Sequence, residues 1–160
     1  MLMIMNIVQF AADYLVVPIA LAGAIVMLIV PKAERHQVWG RAILTGLTAL
    51  LFAKVMSLWY QGERPFETLG VAPGAAFLPN PGFPSDHALL VFTVVCVVWA
   101  TTRRKYLTII LLGAAIVVSV GRVVALVHTP LDVVGGFACA ALAAVAVYGR
   151  RFFDHTKQTW

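Results

Sequence analysis

Charge is what this sequence has least of. Only 12% of its 160 residues are Asp, Glu, Lys or Arg, against 61% hydrophobic, and the mean hydropathy is +0.90. A soluble globule needs a more charged surface, so composition excludes one and leaves an integral membrane protein. Cysteine is nearly as scarce. Cys96 and Cys139 both sit in apolar runs, with no CxxC pair and no metal-ligand spacing. That excludes a disulfide framework, a zinc site and a thiol redox motif, and two buried, inert thiols are expected. Internal repeats and low-complexity tracts are missing. Met1 to Asn6 lacks a basic n-region and a small-residue cleavage site, so the first apolar run is read as a retained span and not a signal peptide. The length allows one domain, residues 1–160.

What is present is apolar helix. Crossing a bilayer core takes about 20 mostly apolar residues. Five stretches meet this: Ile7–Val30, Val38–Tyr60, Ser85–Thr101, Tyr106–Val127 and Pro130–Tyr148. The expected fold is an all-α membrane bundle of about five transmembrane helices. The one long connection, Gln61–Pro84, is rich in Gly and Pro, which favour turns.

The net charge of +5 could suggest a nucleic-acid partner. Its distribution points instead to topology. Lys32, Arg35 and Arg41, then Arg103, Arg104 and Lys105, then Arg150, Arg151 and Lys157 fall on one side of a five-span bundle. By the positive-inside rule that side is the cytoplasm, with the N-terminus outside and the C-terminus inside. Trp59 and Tyr60 are expected in the outer aromatic belt, and Trp39, Trp99, Tyr106 and Tyr148 in the inner one. Three cations remain: Lys54, Arg64 and Arg122. All fall near the outer face, as do His87 and His128, whereas His36 and His155 lie inside in polar segments.

Cations gathered on an outer face with few other charges make an anion site. Phosphate or diphosphate suits the planar fork of Arg. Helix starts add free N–H groups: Pro84-Ser85-Asp86 opens the third span, and Thr129-Pro130 opens the fifth. Ser85 offers a hydroxyl. A neutral imidazole can attack phosphorus and a protonated one can donate to the leaving oxygen. Asp132, four residues after His128, can reach back to hold one imidazole nitrogen and leave the other free.

In chain order these residues read Arg64-Pro65, Pro84-Ser85-Asp86-His87, and Arg122-x5-His128-x3-Asp132. The pattern resembles the membrane-bound type-2 phosphatidic acid phosphatase superfamily, whose motifs are Lys-x6-Arg-Pro, Pro-Ser-Gly-His and Ser-Arg-x5-His-x3-Asp. The resemblance implies a lipid phosphatase that uses no metal and no cofactor. It makes His128 the nucleophile, Asp132 its partner and His87 the general acid. Arg64, Arg122, Ser85 and Lys54 would bind phosphate. The chain departs from the pattern in three places. Nine residues separate Lys54 from Arg64 and Ser57 stands at the lysine position; Lys54 is about one turn deeper, within reach of a snorkelling stem. Gly121 replaces the serine before Arg122. Asp86 replaces the motif glycine, as in the bacitracin-resistance-type undecaprenyl diphosphate phosphatases. There it would modulate the site, holding His87 protonated or repelling anions. The family commonly has six spans, against five here.

The expected partners are therefore the bilayer and a lipid phosphate or diphosphate, which the resemblance makes undecaprenyl diphosphate, cleaved to undecaprenyl phosphate and phosphate through a phosphohistidine at a site on the extracytoplasmic side of the inner membrane. Phosphatidic acid or phosphatidylglycerol phosphate is the alternative substrate, and a non-catalytic lipid-phosphate binder or transporter the alternative class. Asp13, in the outer part of the first span, reads as a structural partner or a water-facing group. Glu63 and Glu67 read as loop solvation, and Gly135 and Gly136 as a close helix contact.

Overall fold

The computed structural model describes residues 7–102 and 104–149. Arg103, the tail cations Arg150, Arg151 and Lys157, His155, and Met1, Met3 and Met5 lie outside the described residues. Within them the chain forms helices and no strands. These are α1 (Ile7–Ile29), α2 (Lys32–Trp59), α3 (Pro65–Leu69), α4 (Asp86–Thr102), α5 (Lys105–Val124) and α6 (Pro130–Tyr148). Four of them, α1, α2, α5 and α6, are long and apolar enough to cross a membrane. Their outward faces carry exposed Leu21, Leu47, Ile110 and Leu142, as a lipid-facing surface requires.

The helix α4 has 17 residues, a length of about 25 Å. Its shortness goes with its position. It packs against α6 most extensively and also against α1, α2 and α5, and ten of its residues are buried. Two glycines of α6 let it come so close. A Cβ on Gly135 would lie 2.5 Å from Phe83 Cε2, and one on Gly136 only 2.7 Å from the Ser85 carbonyl and 2.9 Å from the Leu89 nitrogen. Backbone therefore meets backbone where α4 begins, and the Ser85 N–H donates to the Asp132 carbonyl at 2.9 Å.

Local sequence explains most of the ends. Thr129 caps α6: its hydroxyl accepts from the Asp132 N–H at 3.2 Å, and Asp132 Oδ2 accepts from the Thr129 N–H at 2.7 Å, with Pro130 at the first position. The start of α2 lies six residues before the expected Val38. Pro31 sits just outside the helix, and Lys32, Glu34 and Arg35 are good helix formers whose polarity reads as loop. Arg35 folds back, donating to the Leu28 carbonyl at 2.6 Å and so capping the end of α1. Tyr148, expected in an aromatic belt, is buried instead. Both cysteines are free and buried.

The ends of the bundle differ. At one, the α1–α2 junction meets the α4–α5 junction, where Pro31, Glu34, Thr102 and Arg104 line a common cavity. At the other lie the long connection and the starts of α4 and α6. Gly136→Ala should destabilise the protein by about 1–3 kcal/mol through the backbone clash. Gly46→Ala, with nothing within 4 Å of the added methyl, should be neutral or gain up to about 1 kcal/mol. Thermal melting of the two variants in detergent checks the difference.

Candidate active site

The end of α5 decides where His128 goes. Val124 closes the helix, and the chain then makes a Schellman turn: the Val127 N–H reaches the Arg122 carbonyl at 3.3 Å and the Leu126 N–H the Val123 carbonyl at 2.9 Å. The left-handed position of such a turn normally holds glycine. Here it holds Leu126 at φ 61°, at a cost of about 1–2 kcal/mol. Packing of Leu126 against a cluster that includes Phe66, Ala75 and Val127 offsets it. The His128 N–H also points at the Arg122 carbonyl, at 3.3 Å. The x5 spacing between Arg122 and His128 is the length of this turn.

Three successive carbonyls of the turn face the long connection, and each is met there. Ala125 O accepts from the Gly74 N–H at 2.9 Å, Leu126 O from the Phe66 N–H at 3.0 Å, and Val127 O from Arg64 Nη1 at 2.7 Å. Arg64 Nη2 donates to the Leu78 carbonyl at 3.1 Å and to Asn80 Oδ1 at 2.9 Å. Phe77 lies under the guanidinium, 5.3 Å from its carbon. Arg64 is thus a clasp between the connection and the turn. Burial lowers its pKa, against Glu67, Asp132 and Asp86, which raise it; an Arg stays charged throughout. The short helix α3 serves the clasp by fixing Arg64 as its N-cap, with Pro65 first in the helix and the Arg64 N–H held by Glu67 Oε2 at 3.2 Å. Glu67 therefore caps a helix and does not merely solvate a loop. The sequence signal for α3 was present in Pro65, Glu67 and Gly70, whose φ is 65°.

His128 and Asp132 come together as expected. His128 Nδ1 lies 3.5 Å from Asp132 Oδ2, and both side chains are buried. That distance is an ion-pair approach and not a formed hydrogen bond, and Nδ1 is buried without a bonding partner. The arrangement turns Nδ1 towards the carboxylate, so Nε2 is the nitrogen on the other side of the ring. Gly82 stands beside the pair: a Cβ there would lie 3.5 Å from Asp132 Oδ2 and 3.4 Å from Arg64 Cγ.

Arg122 is only 1% exposed. Its Nη1 donates to Asp13 Oδ1 at 2.8 Å, and its Nε is buried with no partner. His87 is half-buried in the first turn of α4, within electrostatic range of Arg122, Asp13, His128 and Asp86. Ser85 is fully buried and its hydroxyl faces the Ala88 N–H at 3.5 Å, so it caps α4. Lys54 stands apart. It is exposed and lines a neighbouring cleft of about 250 Å³ with Ser57, Gln61, Asn80 and Asp86. Among the described residues, no three His, Cys, Asp or Glu side chains gather as a metal site would require.

A buried His–Asp pair, a second histidine and two buried arginines at one end of a helical bundle are groups that phosphoryl transfer can use. The profile of the PAP2 superfamily matches residues 39–155. The chain belongs to the PAP2 superfamily. It is also 27% identical over 148 residues to the bacitracin transport permease protein BcrC of Bacillus licheniformis, covering 91% of this chain and 71% of that one. No solved structure matches it significantly. Membership of the PAP2 superfamily and the apolar helices make the protein an integral membrane phosphatase of the lipid-phosphate class.

Within this candidate site of a PAP2 protein, local reading missed Asn80 and the backbone acceptors that engage Arg64, because no spacing rule announces a loop clasp. Arg64→Lys replaces a fork by a point donor that cannot serve Val127, Leu78 and Asn80 together. It should make the 61–84 connection markedly more sensitive to limited proteolysis in detergent. Unchanged cleavage would remove the clasp.

Proposed function

We propose that the protein hydrolyses a polyprenyl diphosphate, undecaprenyl diphosphate foremost, to the monophosphate and inorganic phosphate. His128 Nε2 attacks the terminal phosphorus, forming an N–P bond as the P–O bond to the lipid phosphate breaks. His87 gives its proton to the leaving oxygen. Water, losing a proton to His87, then cleaves the N–P bond and releases phosphate. Asp132 holds the imidazole and stabilises its positive charge. Arg122, through its unpartnered Nε, meets the equatorial oxygens. Arg64 contributes charge beside Asp132, with Nε and the second Nη1 hydrogen left for an anion. Ser85 supplies the start of α4, and Lys54 meets the headgroup in the adjoining cleft.

The observation that carries this reading is the buried His128–Asp132 pair at 3.5 Å beside Arg122. Support for the diphosphate comes from Asp86 in the second motif, where the chain resembles the bacitracin-resistance-type phosphatases; the relative BcrC is itself named for bacitracin. Asp86 sits in the first turn of α4, where the helix dipole favours an acid. It lies exposed on the cleft that Lys54 shares. The helix α4 crosses as well, third of five spans in chain order, the basic end of the bundle faces the cytoplasm, and the site opens to the outer leaflet of the inner membrane. No metal takes part. The name of the relative, a transport permease, favours one second reading: a carrier that binds lipid phosphate without turning it over.

Phosphate release in detergent tests these readings together. His128→Ala should lose at least about 10³-fold in kcat, whereas full activity would end the mechanism. Undecaprenyl diphosphate should outrun phosphatidic acid and phosphatidylglycerol phosphate side by side. Binding of all three with no release would favour the carrier. Activity should survive EDTA; loss restored by a divalent ion would contradict the metal-free chemistry.

A further inference from the structure

One acid in the apolar first helix has a place in this site that no motif assigns. Asp13 lies in a π-helical turn, Phe10–Tyr14, closed by the Leu15 N–H on the Phe10 carbonyl at 3.3 Å. Such turns inside an α-helix are frequent at functional sites. Its two carboxylate oxygens do different things. Oδ1 takes Arg122 Nη1 at 2.8 Å and Oδ2 takes the Ala76 N–H of the long connection at 3.0 Å. The side chain is 11% exposed and its partner 2%.

The approach of the two helices is built for this contact. A Cβ on Gly121 would lie 3.1 Å from the Ala12 nitrogen and 3.3 Å from Ala12 Cα. Gly121 is also the position where the family pattern has serine, directly before Arg122. The residue that gives up a hydroxyl thus lets the backbone of α1 press against α5 one position from the arginine. Fixing a guanidinium by one nitrogen leaves a defined edge free. With Nη1 held by Asp13, the edge formed by Nε and Nη2 remains, and Nε is the buried donor without a partner. That edge is the fork a phosphate oxygen pair fits.

We propose that Asp13 is a positioning residue: by holding Nη1 it aims the Nε edge of Arg122 at the phosphoryl oxygens of the substrate. The inference rests on the reaction proposed above. Its energetic logic is that of pre-organisation. A guanidinium already aimed gains its full interaction when charge moves onto the oxygens, without reorganising at that moment. A carboxylate aimed at an arginine from the far side also offsets the cost of burying that cation.

Asp13→Asn tests this, because asparagine keeps an acceptor for the Ala76 N–H and loses the charge that holds Arg122. In purified enzyme with undecaprenyl diphosphate, kcat should fall roughly tenfold or more. KM should stay within about threefold and the melting temperature within a few degrees. Added to Arg122→Lys, which has no fork left to aim, Asp13→Asn should cost less than about threefold further. A kcat within threefold of wild type overturns the inference. So does a full tenfold loss in the double variant, or a collapse of the melting temperature that makes Asp13 a folding residue. Wild-type turnover with an indifferent Asp13→Asn sinks this inference alone; no wild-type turnover on any lipid phosphate sinks the reaction and this inference with it.

Discussion

Three carbonyls at the end of α5 hold the site together. Ala125, Leu126 and Val127 leave the helix with acceptors that an apolar surrounding would penalise. The long connection answers each, twice with backbone N–H groups and once with Arg64. These bonds fix the turn that presents His128. They also fold the connection over the bundle end, which brings Ala76 to Asp13 and Gly82 between Arg64 and Asp132. Without them the left-handed Leu126 would have little to hold it.

The other organising constraint is buried charge. Arg122 and Asp132 are buried inside a bundle whose outside is hydrocarbon-like. Each has company: Asp13 for Arg122, and the Thr129 N–H with His128 for Asp132. Arg122 also keeps one buried donor without a partner, its Nε. A buried donor without a partner costs about 1–3 kcal/mol. A donor held in that condition fits the phosphate site proposed above better than a structural network, which would have closed it.

Much of this was legible in the sequence, and the failures have physical causes. Of the five expected spans, four are helices long and apolar enough to cross a membrane. Hydropathy placed Pro130–Tyr148 to the residue, because Thr129-Pro130 is a strong start signal. The same method began α2 late, since a charged helical turn outside the apolar zone is invisible to it. The His128–Asp132 pairing followed from an i,i+4 spacing, which local geometry nearly dictates. Arg64 did not follow. Its motif announced a phosphate ligand, and the fold engages two of its nitrogens on the protein, a matter of tertiary acceptors that no local pattern carries. Asp13 fell between: an acid in an apolar helix demanded a partner, but only packing at Gly121 could name Arg122.

The central claim is that His128 carries the phosphoryl group. The most direct measurement is to quench turnover of a terminally labelled diphosphate within milliseconds, digest the protein and locate the label by mass spectrometry. The account predicts an acid-labile phosphoryl group on His128 that disappears in His128→Ala. Label on another residue, or steady turnover with no phosphorylated protein at any time point, would contradict it.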